Sequence, residues 1–562
     1  MDTIIKRASE MSQNFILNDS EYRLGFVEAE QSNTKTKRLG EIFREDTKKG
    51  IELLLSVDLD LLPLYKATIF SESFCIFCDD IEKSMRSGGR IVLSGCGSTG
   101  RLSLRVEASF REAVEKLSGI CPEIKNYKDS VITVMTGGDY AIIRAVESFE
   151  DYTSLGMLQI DELGIKENDI LVGITATAET TSIIGTAIGA LDRGAKCYMV
   201  VCTDPQSLKG KLSRVDKVYS HENTRSIYMP VGAMAVTGST RMQSSTIEQT
   251  VILSALEIVT ERIISGNSSN DESVKKRLEV SFEEMLRTLS LTENIADMAE
   301  QIEAERAIYE KGGLVTYFAD EFLLDILADT TERGPTFNLP NFSPEGDKSS
   351  PISWAFVKNP NASTALAWER CLLHTPRCID KTDDEYRALG ILEEDIKRIP
   401  KIDLDAVYRF KIGNEPNAER ENGESLATVF GNDVGNISGA LANYKYMTRV
   451  GFAFHDTGVL ASRLNIFEHL SAKLMMNIIS TGTMAKMGRV YGNYMVYLKI
   501  SNKKLIDRAT RIVSDIGNTD YDTANRLIFT SKILIEEGKT DKPAVLCALE
   551  LLEKERKNDN EA

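Results

Sequence analysis

The sequence predicts an α/β protein with two tandem units, each a parallel sheet flanked by helices. Short apolar runs alternate with stretches of helical periodicity, which is typical of such sheets. In addition, the segments Gly88-Gly89-Arg90-Ile91-Val92-Leu93 and Gly312-Gly313-Leu314-Val315-Thr316-Tyr317 have the same layout. This likeness indicates an internal duplication.

In the first unit we predict strands at 90–94, 131–135, 170–175 and 196–202, and helices at 102–117, 141–149, 181–193 and 243–264. Helices are also predicted at 42–55 and 61–85, before the first strand. The polar stretch 265–273 is the predicted linker. Beyond it we expect helices over 274–309, a strand opening at Gly312, a loop at 342–350, further strands at 402–410, 425–430 and 448–454, and helices from Ser471 onward.

The composition argues against several classes of function. With 562 residues and 42% hydrophobic content, the chain is long and apolar enough for two or three domains. A net charge of -17 argues against nucleic acid or an anionic membrane as partner. No apolar run reaches the roughly 20 residues of a membrane span, and no apolar leader follows Met1, so we expect a cytoplasmic protein.

The cysteines and histidines do not suggest a metal or disulfide framework. Nine scattered cysteines, an odd number, are expected to be reduced thiols, and the pair Cys75 and Cys78 to pack in the core. The four histidines have no spacing typical of ligands. We therefore expect no metal and no cofactor.

The loop Gly95-Cys96-Gly97-Ser98-Thr99-Gly100 lies between a predicted strand and a predicted helix. Backbone amides and the positive helix end would face a ligand there, so phosphate is the expected guest, with a plain tight turn as the alternative. Two other hydroxyl-rich segments, 175–181 and 237–241, can converge on the same phosphate. Helix capping by each Ser or Thr is the alternative for these segments.

Three segments resemble a known family: Gly88 to Arg101, Gly137 to Asp151, and Val236 to Met242, which is similar to a T-G-S-S-R-M signature. The family joins bacterial N-acetylmuramic acid 6-phosphate etherase with animal glucokinase regulatory protein. Ser471 to Leu505 resembles its C-terminal helices, and the likeness covers nearly the whole chain. It implies two tandem sugar isomerase (SIS) domains, with flavodoxin-like parallel sheets flanked by helices, and a C-terminal helical lid.

The resemblance also implies domain bounds. Residues 1–60 would be an N-terminal helical segment, 61–265 the first SIS domain with the intact phosphate loop, 275–480 the second with a degenerate loop, and 481–562 a C-terminal helical domain. The degenerate loop has Asp320 and Glu321 where a phosphate would sit, and two carboxylates repel phosphate.

Two glutamates are implied by the etherase chemistry, in which lactate is eliminated. Glu150 matches one of them, while the other falls on Ser109 in the first unit and on Glu332 in the second. A glutamate about ten residues into the helix lies about 15 Å from its own loop, so it would serve a site across a two-fold interface. We therefore predict one composite site.

Its predicted members are two glutamates, which act as acid and base in an enzyme or hold sugar hydroxyls otherwise, and a set of binding residues. The glutamates are Glu150 and Glu332, and the binding residues are Gly97, Ser98, Thr99, Gly100, Thr175, Thr177, Thr180, Ser239, Thr240 and, by the resemblance, Lys473. For Glu332 and Lys473, a solvated helical residue is the alternative.

The resemblance implies a hexose phosphate ligand, and leaves open whether the protein is catalytic. We expect a regulator of a sugar kinase that responds to a fructose phosphate; the alternatives are an etherase and, more weakly, a phosphosugar isomerase. Glu179 stands where the etherase has an arginine, which disfavours a lactyl carboxylate. A monomer with an internal pseudo-two-fold is expected, and Phe452 and Phe454 form either a partner contact or a buried strand end.

Overall fold

The computed structural model describes residues 2–144, 146–431, 437–451 and 462–561. Its first sheet is parallel throughout, with the order β2-β1-β3-β4-β5. The strands are β1 Ile91–Gly95, β2 Val131–Met135, β3 Ile170–Ile174, β4 Lys196–Val201 and β5 Thr224–Tyr228. This is the flavodoxin-like order, in which the direction of strand addition reverses between β1 and β3.

The second sheet repeats this arrangement. It is parallel, with the order β7-β6-β8-β9, so its four strands are arranged like β2, β1, β3 and β4 of the first sheet. Its strands are β6 Leu314–Phe318, β7 Ala355–Lys358, β8 Ser425–Phe430 and β9 Tyr446–Val450, and a small antiparallel hairpin pairs β10 Val490–Tyr491 with β11 Tyr494–Met495. The predicted α/β fold with two parallel sheets is confirmed.

Helices cover both sheets and form both ends of the described chain. The helices before residue 266 are α1 Asp2–Asn18, α2 Leu39–Glu45, α3 Thr47–Asp58, α4 Leu61–Ile69, α5 Glu72–Arg86, α6 Ser98–Leu117, α7 Thr153–Leu163, α8 Thr181–Leu191, α9 Pro205–Leu208, α10 Ser213–Tyr219 and α11 Gln243–Ser265. The later ones are α12 Asp271–Leu289, α13 Thr292–Glu310, α14 Leu323–Phe337, α15 Thr364–Leu372, α16 Asp383–Ala388, α17 Glu393–Ile396, α18 Leu404–Tyr408, α19 Ala418–Glu421, α20 Ser438–Leu441, α21 Ile466–Lys486, α22 Lys503–Gly517, α23 Tyr521–Glu536 and α24 Ala544–Glu561. Of the helices described, none has the length and apolar character to cross a membrane.

Two predicted elements were wrong. The strand expected at 402–410 is the short helix α18, because the Asp403 side chain accepts a hydrogen bond from the Ala406 amide at 2.8 Å and caps the helix. The helix expected at 141–149 is replaced by 3-10 turns at Asp139–Ile142 and Glu147–Asp151. Asp139 is fixed there by the Arg377 backbone, whose amide donates to its carboxylate at 2.7 Å.

One hydrophobic core spans both sheets. It includes Val92 of β1, Val315 of β6 and Met475 of α21, all buried. Charged pairs also cross between the halves, since Arg241 donates to Asp329 at 2.9 Å and Arg377 to Glu107 at 2.9 Å. A buried charge that loses its partner is strongly destabilising, so these pairs restrict how the halves fit together.

The N-terminal segment fixes helix α22 through a buried carboxylate. Glu30 accepts hydrogen bonds from both nitrogens of the Arg508 fork, at 2.6 and 2.9 Å, and from Arg511 at 2.9 Å. Burial alone would raise the pKa of Glu30, but the two guanidinium charges outweigh it and hold that pKa well below its ordinary value of 4.5. Helix α22 thus keeps a defined position beside the first sheet.

The Glu30→Ala variant should lower the free energy of unfolding by about 3–5 kcal/mol, because it leaves the buried Arg508 guanidinium without its carboxylate and removes one of the two carboxylates that bind Arg511. Since the pKa of Glu30 is lowered on folding, its contribution is present above pH 4.5 and is lost as the pH falls. Chemical denaturation at neutral pH measures the loss.

The matched control is Glu28→Ala, because Glu28 is exposed in the same short turn. It should change the free energy of unfolding by less than about 0.5 kcal/mol. Equal stability of the two variants would contradict a structural role for the Glu30 carboxylate.

Candidate functional site

A cavity of about 170 Å³ opens at the carboxyl edge of the first sheet, where β1 and β3 end. Parallel α/β sheets bind ligands in this position, in the crevice where the strand order reverses. The lining comes from distant parts of the chain: Cys96, Gly97, Ser98, Thr99, Glu150, Thr175, Ala176, Thr177, Thr180, Thr240, Glu332, Pro335, Ser501, Asn502, Lys504, Leu505 and Arg508. Residues of both units and of the C-terminal helices therefore meet here.

Three helices begin at this cavity. Helix α6 starts at Ser98, α8 at Thr181 and α22 at Lys503. Each N-terminus carries partial positive charge and backbone amides without intrahelical partners, and this combination favours a bound anion. Their convergence brings three partial positive charges to one cavity of an acidic chain.

The loop between β1 and α6 depends on its glycines. Gly97 has a φ of 55°, in the left-handed region, and a Cβ there would meet open space. A Cβ at Gly95 would lie 2.4 Å from the Thr99 carbonyl, so the loop closes tightly at that point. The Thr99 hydroxyl holds this closure, accepting from the Cys96 amide at 2.9 Å and contacting its carbonyl oxygen at 3.0 Å.

The three hydroxyl-rich segments of the sequence meet at this cavity. Ser98 and Thr240 have their hydroxyl oxygens 3.2 Å apart, and those of Thr175 and Thr180 are 2.9 Å apart. Of the other predicted binding residues, Gly97, Thr99 and Thr177 line the cavity, while Gly100 and Ser239 lie buried just outside its lining.

Glu332 reaches the cavity from α14 of the second unit. Its carboxylate accepts a hydrogen bond of 2.6 Å from Arg101, which lies in the first turn of α6 and is buried. Arg101 also donates to the Thr331 hydroxyl at 3.1 Å. The second unit thus supplies a carboxylate to the loop of the first, in the arrangement of the predicted composite site.

Glu150 lines the same cavity from the turn Glu147–Asp151, and its carboxylate accepts from the Asn502 side chain at 3.3 Å. The neighbouring Asp151 was not singled out from the sequence. Burial and the negative charge of Glu150 raise the pKa of Asp151 to about 7. A carboxyl group that can hold a proton near neutrality therefore lies next to the cavity.

Lys473 does not line this cavity. Its ammonium group donates to the carbonyl oxygens of Arg241 and Met242, at 3.0 and 3.3 Å, and to the Thr246 hydroxyl at 2.6 Å. It faces a smaller neighbouring cavity, which shares only Ser98 and Glu332 with the first among the residues described. Lys473 is thus held within the protein interior, and this burial lowers its pKa.

Lys504 lines the cavity instead, although the sequence patterns did not predict it as a site residue. Its ammonium nitrogen lies 3.3 Å from the Thr177 hydroxyl and 3.3 Å from the Glu179 carboxylate. A signal was present: Asn502 caps α22, and Lys503 and Lys504 follow at the helix start, where the helix dipole disfavours cations. An anion bound between this helix and its neighbours would remove the conflict.

The matching edge of the second sheet has a different character. Asp320 follows β6 and accepts hydrogen bonds from Asn359 at 2.8 Å and Asn361 at 3.1 Å. A carboxylate thus occupies the place where the first unit has its glycine loop. Within the described residues, no group of three or more His, Cys, Asp or Glu is arranged to hold a metal ion.

Comparisons with known proteins agree with this layout. Residues 76–191 match the family model described as the glucokinase regulatory protein N-terminal SIS domain. A glucokinase regulatory protein from Xenopus laevis is 21% identical over 538 residues, which cover 90% of this chain and 82% of that protein. Residues 76–191 thus resemble an SIS domain, and most of the chain resembles a glucokinase regulatory protein.

It also resembles the bacterial etherases. An N-acetylmuramic acid 6-phosphate etherase from Aliivibrio fischeri is 32% identical over 175 residues, or 31% of this chain. The match spans about half, 51%, of that etherase. Among solved structures, a putative tagatose-6-phosphate ketose/aldose isomerase from Clostridium novyi aligns with 81% of this chain and 93% of its own, with a TM-score of 0.39 and 12% identity.

Gly97→Ala should weaken ligand binding at the cavity while leaving the fold intact. A methyl group at this positive φ strains the backbone by about 1–2 kcal/mol and projects into the cavity. We expect binding of fructose 6-phosphate, measured by calorimetry, to weaken by at least about tenfold.

The control is Gly164→Ala, at the end of α7. Gly164 also has a positive φ, 62°, and a Cβ added there would have no atom within 4 Å. Its ψ of 54° places it in the αL region, so an alanine is strained less there than at Gly97, where ψ is -120°. Gly164→Ala should bind the ligand as the wild-type protein does, and only Gly97→Ala should lose affinity when both are measured as folded protein. Equal binding by the two variants would show that the ligand does not use this loop.

Proposed function

We propose that the protein binds a hexose phosphate and regulates a sugar kinase in response to a fructose phosphate. The observation that carries this proposal is the convergence of three helix N-termini, several hydroxyls and Lys504 on one cavity that Glu150 and Glu332 also line. The helix N-termini, the hydroxyls and Lys504 are suited to bind a phosphate, and the two carboxylates are suited to bind sugar hydroxyls.

In this proposal the phosphate lies against the start of α6. Ser98, Thr177 and Lys504 offer hydroxyl and ammonium donors around it. The sugar ring extends toward Glu150 and Glu332, whose oxygens accept hydrogen bonds from its hydroxyls. A neutral hexose lacking the phosphate would lose the charge-assisted contacts and bind far more weakly.

Regulation is supported by the composite nature of the cavity. A ligand that bridges the first unit, Glu332 of the second and helix α22 stabilises one arrangement of these parts over others. A partner protein that contacts more than one of them would then sense the ligand. The similarity to a glucokinase regulatory protein over 90% of the chain makes a sugar kinase the partner we propose.

An etherase is the second candidate, because Glu150 and Glu332 line one cavity and could serve as base and acid. Against it stands Glu179, whose negative charge beside the cavity disfavours the carboxylate of a lactyl group. Release of lactate from N-acetylmuramic acid 6-phosphate, lost in both Glu150→Gln and Glu332→Gln, would establish the etherase. A phosphosugar isomerase is a weaker third possibility, since the fold alone does not determine the chemistry.

Lys504→Met should abolish the rise in melting temperature that fructose 6-phosphate causes in the wild-type protein, because the variant loses the ammonium group that lines the cavity beside Thr177. Lys503→Met is the control: Lys503 is adjacent but more exposed, and its ammonium binds Asp19 at 2.7 Å. It should retain the shift.

The same titration includes fructose 1-phosphate and glucosamine 6-phosphate as alternative ligands. If none of the three raises the melting temperature of the wild-type protein, the proposed binding function is wrong. For the regulatory role, addition of the protein to a glucokinase should lower its rate, and the active ligand should change that inhibition. If the protein binds the sugar phosphate but does not change the rate of the kinase, only the regulatory role is wrong.

A further inference from the structure

Glu179 contacts the groups that a phosphate would use. One of its oxygens accepts a hydrogen bond of 2.9 Å from the Thr177 hydroxyl, and the same oxygen lies 3.3 Å from the Lys504 ammonium. Thr177 and Lys504 both line the cavity, whereas the buried Glu179 lies one layer behind them. A protein carboxylate thus occupies two donors that face the proposed ligand.

Glu179 is charged and has a second cationic partner. Its other oxygen accepts from Arg214 at 2.6 Å. Burial would raise the pKa of Glu179, but the charges of Lys504 and Arg214 outweigh it and hold the pKa below its ordinary value. Loss of Lys504 as a partner would therefore leave the carboxylate paired with Arg214.

The backbone fixes Glu179 in this position. Ala178 has a φ of 60°, a left-handed conformation that costs an alanine about 1–3 kcal/mol. Two hydrogen bonds hold the strained loop: the Tyr219 hydroxyl donates to the Ala178 carbonyl at 3.0 Å, and Arg214 donates to the Glu179 carbonyl at 3.1 Å. The carboxylate is thereby held next to Lys504.

We propose that Glu179 is an internal competitor of the ligand phosphate, to which it must yield Lys504 and Thr177 when the ligand binds. The inference rests on the proposed sugar phosphate binding and adds a specificity-determining residue to that site. A phosphate monoester carries about -1.5 to -2 charges at neutral pH and outcompetes the single charge of Glu179. A sugar that offers only a carboxylate does not, so the site selects phosphorylated ligands.

Glu179→Gln in the full-length protein tests this inference. The change removes the competing charge, so we expect calorimetry to show about tenfold tighter binding of fructose 6-phosphate. The affinity for inorganic phosphate should rise by the same factor, because Glu179 competes with the phosphate group alone. A purely structural role of Glu179 would not produce equal gains for the two ligands.

The control is Glu21→Gln. Glu21 also accepts from Arg214, at 2.9 Å, but its hydrogen bonds do not include Lys504 among the residues described. Its substitution should leave both affinities unchanged. If Glu179→Gln does not fold, as judged by circular dichroism, Glu179→Asp gives the second test, since its shorter side chain retreats from Lys504 and should also tighten binding.

The outcomes separate this inference from the proposed function. Suppose that the wild-type protein binds the ligand, that Lys504→Met loses binding, and that neither Glu179→Gln nor Glu179→Asp binds more tightly. This result would overturn the competitor role alone. Weaker binding by the Glu179 variants would likewise overturn it. No binding of either ligand by the wild-type protein or by the Glu179 variants would refute the proposed function together with this inference.

Discussion

The contact between Arg101 and Glu332 is the interaction on which the site depends. Arg101 lies one turn from the start of α6, and its guanidinium holds the second unit through Glu332 and Thr331. It also donates to the carbonyl oxygens of Ala141 and Ile142, at 3.3 and 3.2 Å, beside the Glu150 turn. A buried ion pair adds little net stability, so its value here is that it specifies one arrangement of loop, turn and neighbouring unit.

In the proposed site, the two units contribute different parts. The first retains the glycine loop after β1, while the second has Asp320 at the matching edge and contributes Glu332 from α14. A carboxylate ten residues along a helix is too far from its own loop but close to the neighbouring one across a two-fold interface. Duplication within one chain lets each copy lose the part that the other supplies.

The sequence predicted the elements that depend on residues close together in the chain. Buried apolar runs predicted the strands β1 to β4, β6 and β8, and the strand-loop-helix pattern predicted the loop at Ser98 that lines the cavity. The weakly apolar edge strand β5 and the short β7 were missed, and 402–410 was misassigned because its capping by Asp403 outweighs an apolar pattern that fits either element. Lys504 was missed because its approach to the loop depends on contacts such as Glu30 with Arg508, which join residues hundreds of positions apart. The predicted strand end at Phe452 and Phe454 lies outside the described residues.

The most direct test of the composite site is a crystal structure of the protein with fructose 6-phosphate. We expect the phosphate at the start of α6, within hydrogen-bond distance of the Ser98 hydroxyl and the Lys504 ammonium. A hydroxyl of the sugar should contact Glu332 of the second unit. A ligand bound beside Lys473, at the second sheet, or in the first unit without contact to Glu332 would contradict the composite site.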